Sequence, residues 1–378
     1  MTLLYISWGY IHEDEIIIEF ENKGIEIKKV KFPLKNEVVA ENFQKEEYRR
    51  LLENEMDESV DIIFTINFFS EVSEWCERRN IPYASWILEL PNYDLYTKSV
   101  FNCCNYIGVC DSYIVEKLLK IGVNKVFLLP DAVGREIEEP KVFKEREFCY
   151  ISKRPQKTLN YLDVSLYAKG YLEAFLHVQR VIPGEMILET GLLNRVYGEL
   201  LNNNKIPPKI LSTMEKLYFA DYYLNPECVA LRENIFIQNH SSLITIYSNE
   251  DFSMCNTIIN PYIEEGPIRR RIYAEKEFSL ILTPYTQHNA IDRNALEVIC
   301  AGGFPICSYQ KDYDIFFTKD KNLVYFKNEE EFLKIITWYG NDQEERKRII
   351  KEAYYHVKEN HTYKNRIDTM IHFWNKLS

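Results

Sequence analysis

Arg293 and Glu297 stand about one helical turn apart in "RNALEVICAGGFPICSYQKD" (residues 293–312), on an apolar helix that a glycine pair, Gly302-Gly303, brings to a stop. That spacing suits the binding of anions and hydroxyls. The strand "FSLILTP" (278–284) and the loop "YTQHNAID" come first, so the helix N-terminus opens at the end of a strand. Backbone N–H groups and the helix dipole attract phosphate there. Arg293 adds a guanidinium that grips phosphate oxygens in pairs. An ionised Glu297 can accept two hydrogen bonds from vicinal hydroxyls, such as those of a ribose. The same spacing also describes an i, i+4 ion pair on an exposed face, with the glycines as a simple C-cap. The triple "RRR" (269–271) reads more simply as a solvated face than as a phosphate clamp.

Positioning these groups requires a parallel sheet. From "LLYIS" (3–7) through "IEIKKVKF" (25–32), "DIIFTINFF" (61–69), "YASWILEL" (83–90), "YIGVC" (106–110) and "KVFLLP" (125–130), apolar runs alternate with helical stretches. In "SEVSEWCERRN", Ser70 reads as an N-cap. Strands alternating with helices of ten or so residues imply an α/β fold with helices on both faces of a parallel sheet. "GREIEEPKVFKERE" (134–147) is polar and reads as a linker. After it come the strand "FCYIS", a mainly helical stretch over about 158–223, and renewed alternation from "SLITIYS" onward. The tail ends in two helices. The second carries Ile367, Met370, Ile371 and Trp374, a buried-type stripe. The expected organisation is a first Rossmann-like domain over 1–133, a second over 134–361, and a last helix over 362–378. Two such domains are expected to face a central cleft, with ligands at the carboxyl ends of the strands.

Composition narrows the classes. A chain of 378 residues is too long for one ordinary core, and 46% apolar with 14% aromatic residues is ample packing material. Fifty-seven acids against 46 bases give a net charge of −11, which argues against a nucleic-acid or membrane-surface binder. No apolar run is long enough for a transmembrane helix. The start, "MTLLYISWGYIHEDE", lacks a basic region and meets acids early, so no secretory leader is expected. Nine cysteines without a C-x-x-C pair fit a reduced cytoplasm better than a disulfide framework or zinc site. Cys103-Cys104 reads as a packing pair.

The 293–312 stretch resembles the donor-site segment of group 1 glycosyltransferases of the GT-B fold, and more closely the spore-maturation CgeB-like branch. The residues that carry the resemblance are "LILTP", Arg293, Glu297, "AGGF" and "SYQKD". The tail "NLVYFKNEEEFLKIITWYGNDQEERKRII" followed by "NHTYKNR" is similar as well. So are "PYASWILELPNYDLYTKSVFNCCNYIGVCDSY", "LLPDAV" and "SLYAKGYLEAFLHVQ", which extend the likeness over most of the chain. The chain departs from the wider group at Asn289, where a second Glu often stands eight positions before the first. It departs from the branch at Glu89 and Leu90-Pro91, where Asp and Ser-Pro are common.

The resemblance implies a hexosyltransferase-type enzyme that takes its sugar from a nucleoside diphosphate, UDP favoured, with no further cofactor and no essential metal. The implied acceptor is a cell-surface, spore or flagellar glycan or protein. The resemblance, carried by residues 293–312 and the tail, also implies that the last helix over 362–378 crosses back to the first domain. Glu297 would hold the ribose hydroxyls. Arg293 and the 285–289 loop, with Tyr285, His288 and Asn289, would face the diphosphate or sugar, and Gly302-Gly303 would let helix and strand pack closely. Lys153, Arg154 and Lys157, in "SKRPQK", suit a diphosphate clamp or a basic surface turn. A general base is sought at His12, flanked by Glu13 and Asp14, or at Glu89, each equally readable as a surface polar group. His361 is expected to cap the last helix. A nucleotide-sugar epimerase and a non-catalytic binding relative are the competing readings.

Overall fold

Strands β1 (Thr2–Ser7) and β3 (Ile62–Ile66) are buried at every position, as continuous apolar runs must be when helices cover both sheet faces. The structure, a computed structural model, describes residues 1–32, 41–134, 145–153, 225–249, 259–284 and 286–377, and scattered positions between 165 and 202. It divides into two units, Met1–Glu136 with Lys358–Ser378, and Ile137–Val357. The linker positions 135–144 and the helical reading of 158–223 lie outside the described residues, apart from those scattered positions.

The first unit holds a six-stranded sheet in the order β2-β1-β3-β4-β5-β6, with β2 at Glu26–Lys31, β4 at Tyr83–Ile87, β5 at Asn105–Val109 and β6 at Val126–Leu128. Every pairing is parallel. Edge strand β2 carries its lysines on partly or fully exposed positions, which blunts the open edge. Helices α1 (Glu13–Glu21), α2 (Glu41–Glu55), α3 (Ser70–Arg79) and α4 (Ser112–Lys120) make the crossovers. Ser70 is the first helical residue and not the cap: Phe69 holds the N-cap position, and the Ser70 hydroxyl donates to Asp94 and Glu71. Strand β3 ends before the apolar run does, because Asn67 turns left-handed at φ +63°. Of the cysteine pair, only Cys104 packs on the core, and Cys103 is exposed.

The second unit repeats the architecture. Its sheet runs β12-β11-β10-β7-β8-β9, again all parallel. The strands are β7 (Glu145–Ser152), β8 (Ile244–Ser248), β9 (Ile259–Pro261), β10 (Lys276–Ile281), β11 (Pro305–Ser308) and β12 (Val324–Phe326). Strand β7 therefore starts three residues inside the expected linker. The helices are α5 (Asn225–His240), α6 (Pro267–Glu275), α7 (Arg293–Cys300), the single turn α8 (Tyr313–Phe316), α9 (Glu329–Asn341) and α10 (Gln343–Asn360). A buried Arg346–Glu277 ion pair of 2.8 Å ties α10 to β10.

The last helix, α11 (Tyr363–Leu377), belongs to the first unit. Ile367, Met370 and Trp374 are buried. Trp374 stacks on Phe20 of α1, and Phe373 stacks on Phe127. A short parallel bridge, with Val133 N–H donating to His361 O and Tyr363 N–H to Val133 O, joins the start of α11 to the chain after β6. Thr362 caps the helix, not His361. The Asn365 N–H donates to the Thr362 hydroxyl, and the Asn365 side chain accepts from the Thr362 N–H, a reciprocal cap. His361 is buried, and its Nδ1 accepts from Arg366. Among the described residues, no helix is long and apolar enough to cross a membrane.

Candidate functional site

Strand order reverses between β7 and β10 in the second unit, because β8 and β9 extend one side of β7 and β10 to β12 the other. In open parallel sheets, the crevice beyond the carboxyl ends of such a pair is where ligands bind. The chain leaving β7 carries Lys153, and the chain leaving β10 carries Pro284 to Asp292 and then α7. Arg154, Lys157 and Tyr285 lie outside the described residues.

Helix α7 starts cleanly, with the Asp292 carboxylate accepting from the Asn294 N–H at 2.9 Å. Ala295, Leu296, Val298 and Ile299 form its buried face. Arg293 and Glu297 do form an i, i+4 ion pair, Nε to Oε1 at 3.3 Å, but the pair is not on an exposed face. The Glu297 side chain is only 11% exposed, and Arg269 approaches its other oxygen at 3.5 Å. Arg293 also reaches Glu265 at 2.9 Å. The result is two arginines and two glutamates interleaved at the first turns of α7.

Arg269 was read as part of a solvated face. The structure separates the triple: Arg270 and Arg271 are exposed, while Arg269 is 6% exposed. Successive helical residues turn by about 100°, so three adjacent arginines cannot share a face. Arg269 donates to the hydroxyls of Tyr273 (3.0 Å) and Tyr262 (3.2 Å) and to the Asn294 side-chain oxygen. Burial works against the Arg269 cation, yet Tyr273, Glu297 and Tyr262 outweigh it and keep it protonated. At Glu297, burial is the largest influence and pushes the carboxyl up to about 7. Arg269 and Arg293 pull it down, and Glu265 beside it pushes it further up.

The glycine pair has two separate reasons. Gly302 takes φ +76°, the left-handed turn that ends α7. A Cβ on Gly303 would lie 2.6 Å from the Tyr273 carbonyl oxygen and 2.8 Å from Val298 Cγ1. The close approach is thus to the end of α6 and not only between α7 and its following strand. His288 and Asn289 are partly buried, and the Asn289 carbonyl accepts from the Asp312 N–H at 3.0 Å. Lys153 is exposed, pairs with Glu264 at 3.0 Å and lies over the Tyr262 ring.

The acceptor-side candidates lie in the first unit. His12 is buried at the start of α1, and its Nδ1 meets Glu15 Oε1 at 3.2 Å. Its carboxylate partner is therefore Glu15 and not the adjacent Glu13 or Asp14. Asp14 pairs instead with Lys29. Glu89 is exposed just beyond β4, and Asn67 clamps it: the amide donates to Glu89 Oε2 at 2.9 Å and accepts from the Glu89 N–H at 3.1 Å. As site residues, Glu265, Tyr262 and Asn67 are absent from the sequence reading, which includes Arg269 only within the arginine triple. The Gly266-Pro267 start of α6 and the i, i+4 spacing of Arg269 and Tyr273 were the available signals for Arg269. A loop glutamate such as Glu265 carries none.

Residues 254–372, which include α6 and α7, match the family described as Glycosyl transferase-like. No curated protein matches the sequence. Among solved structures, sucrose-phosphate synthase from Thermosynechococcus elongatus is similar at a TM-score of 0.56 and 9% identity, over 100% of this chain and 99% of that one. Anabaena Alr3699/HepE, solved in complex with UDP-glucose, is similar at 0.53 and 9%, over all of both chains. A glycosyltransferase from Rickettsia africae ESF-5 is similar at 0.50 and 11%, over 100% and 98%. The fold is α/β, two Rossmann-like units with six-stranded parallel sheets, as in the GT-B glycosyltransferases.

Proposed function

We propose that this protein is a cytoplasmic glycosyltransferase of the CgeB-like branch. It would transfer a hexose from a nucleoside diphosphate sugar, a UDP-sugar by preference, to a cell-surface, spore or flagellar glycan or protein. One observation carries the reading: Glu297 is set between Arg269 and Arg293 on the opening turns of α7, at the strand-order reversal of the second sheet. The Glycosyl transferase-like match spans that constellation, and the likeness to HepE, itself solved with UDP-glucose, supports UDP as carrier.

In this reading Glu297 accepts from the ribose hydroxyls. Arg293, Lys153 and the N-terminus of α7 face the diphosphate, a charge-stabilising role that needs no metal. His288 and Asn289 face the sugar. An acceptor hydroxyl attacks the anomeric carbon, the bond to the diphosphate oxygen breaks, and the diphosphate leaves with the electron pair. The hydroxyl proton passes to a base. His12 is the better base than Glu89, because Glu15 holds its ring in place at 3.2 Å, whereas the Asn67 amide already occupies the Glu89 carboxylate.

A thermal-shift screen against UDP, GDP, CDP and dTDP tests the reading. The correct nucleotide at 100 times its dissociation constant is expected to stabilise the protein by about 2.7 kcal/mol. Indifference to all four would sink it. Release of nucleoside diphosphate from the sugar nucleotide is expected, whereas a new sugar nucleotide would mark an epimerase.

Arg293→Ala separates the two halves of the ligand. Losing a charged hydrogen bond to phosphate is expected to weaken UDP by roughly ten- to a hundredfold and leave uridine unchanged. Equal losses for UDP and uridine in calorimetry would assign Arg293 to the scaffold instead.

A further inference from the structure

Glu13, the first residue of α1, is 5% exposed and turns its carboxylate back onto the loop behind it. Its Oε1 accepts from the N–H groups of Trp8 (3.1 Å), Gly9 (3.2 Å) and Tyr10 (3.1 Å). Its Oε2 accepts from the Ser7 hydroxyl (2.5 Å), and Lys29 Nζ lies 3.8 Å away. Three successive N–H groups converge because Gly9 takes φ +96°, a left-handed value that L side chains rarely adopt. Converging backbone N–H groups of this kind form an anion-binding nest.

The position of the nest gives it meaning. It lies at the carboxyl end of β1, beside β3, where strand order reverses in the first sheet, and that is the ligand crevice of an open parallel sheet. An acid that merely favoured the helix dipole would gain from lying near the N-terminus without reaching backward. Glu13 instead meets four donors with two oxygens, as a phosphate would.

We propose that Glu13 is a built-in anion that fills the phosphate cradle of the first unit, closing it to phosphate-bearing ligands and fixing the loop that carries His12. Glu13 is thus a positioning residue. The assignment uses the first unit alone and does not depend on the nucleotide reading of the second.

The test compares wild type with Glu13→Ala, Glu13→Asp and Glu13→Gln in the full chain, in inorganic phosphate and in chloride at matched ionic strength. All three variants are expected to melt below wild type. Only Glu13→Ala empties the cradle, so only it is expected to regain a phosphate-specific rise in midpoint of about 5 °C. Adding Ser7→Ala to Glu13→Ala should weaken that phosphate response by roughly tenfold in concentration. If Glu13→Ala does not fold in chloride, its refolding yield from urea is read instead, and phosphate is expected to restore it. Phosphate that raises neither midpoint nor yield of Glu13→Ala, or that stabilises wild type equally, overturns the proposal.

Discussion

Replacing Arg366 with alanine is expected to lower the stability of the first unit by about 3–5 kcal/mol, because several buried acceptors lose their donor together. Arg366 is 6% exposed. Its guanidinium donates to the carbonyls of Pro130 (2.8 Å), Asp131 (3.1 Å) and Asn360 (2.9 Å) and to His361 Nδ1 (2.8 Å). Burial pulls its pKa down to about 10, with Asp131 opposing. No shorter side chain reaches all four acceptors, and each orphaned acceptor costs about 1–3 kcal/mol unless water reaches it. Arg366→Lys, with a compact ammonium in place of the planar fork, should recover only part of the loss. Calorimetry should show the first unit melting earlier while the second keeps its transition. A loss below about 1 kcal/mol would mean that water replaces the guanidinium, and the fork would not be what secures α11.

The same helix shows what could be read from sequence alone. Ile367, Met370 and Trp374 recur at helical spacing, so a buried face was legible. The partners of Arg366 were not, because the acceptors on Pro130 and Asp131 are backbone carbonyls that every residue carries. The strands were legible where they are continuous apolar runs, as in "DIIFTINFF". Their ends were not: only the backbone reveals that Asn67 leaves the strand region. Strand β9, three residues with a proline, offers no period to detect. Helix α6 was hidden by its arginines, since a buried guanidinium satisfied by two tyrosines has the same letter as a solvated one. In the candidate site, Arg293 and Glu297 could be named because helix spacing pairs them. Glu265 could not, because it reaches them from a separate loop.

Glu297→Gln is expected to weaken binding of the cognate nucleoside diphosphate by roughly ten- to a hundredfold, the equivalent of losing a charged hydrogen bond worth about 1.5–3 kcal/mol. The fold should survive, because neither arginine is stranded. Arg293 keeps Glu265, and Arg269 keeps Tyr262, Tyr273 and Asn294. The pH dependence adds a second signature. Burial raises the Glu297 carboxyl from its usual 4.5 to about 7, so the folded protein holds a proton that the unfolded chain has already released. This contribution to stability is complete below about 4.5 and is lost as pH rises through about 7. Ribose hydroxyls need the ionised carboxylate as acceptor, so nucleotide affinity should move the other way, rising with pH across the same window. In the glutamine variant both slopes should flatten. Calorimetric titrations from pH 5.5 to 8.5 would decide the matter, on the expectation of a titration centred near about 7. Wild-type affinity that ignores pH, together with unchanged affinity in Glu297→Gln, would remove the ribose from Glu297 and leave the carboxylate only its hold on Arg269 and Arg293.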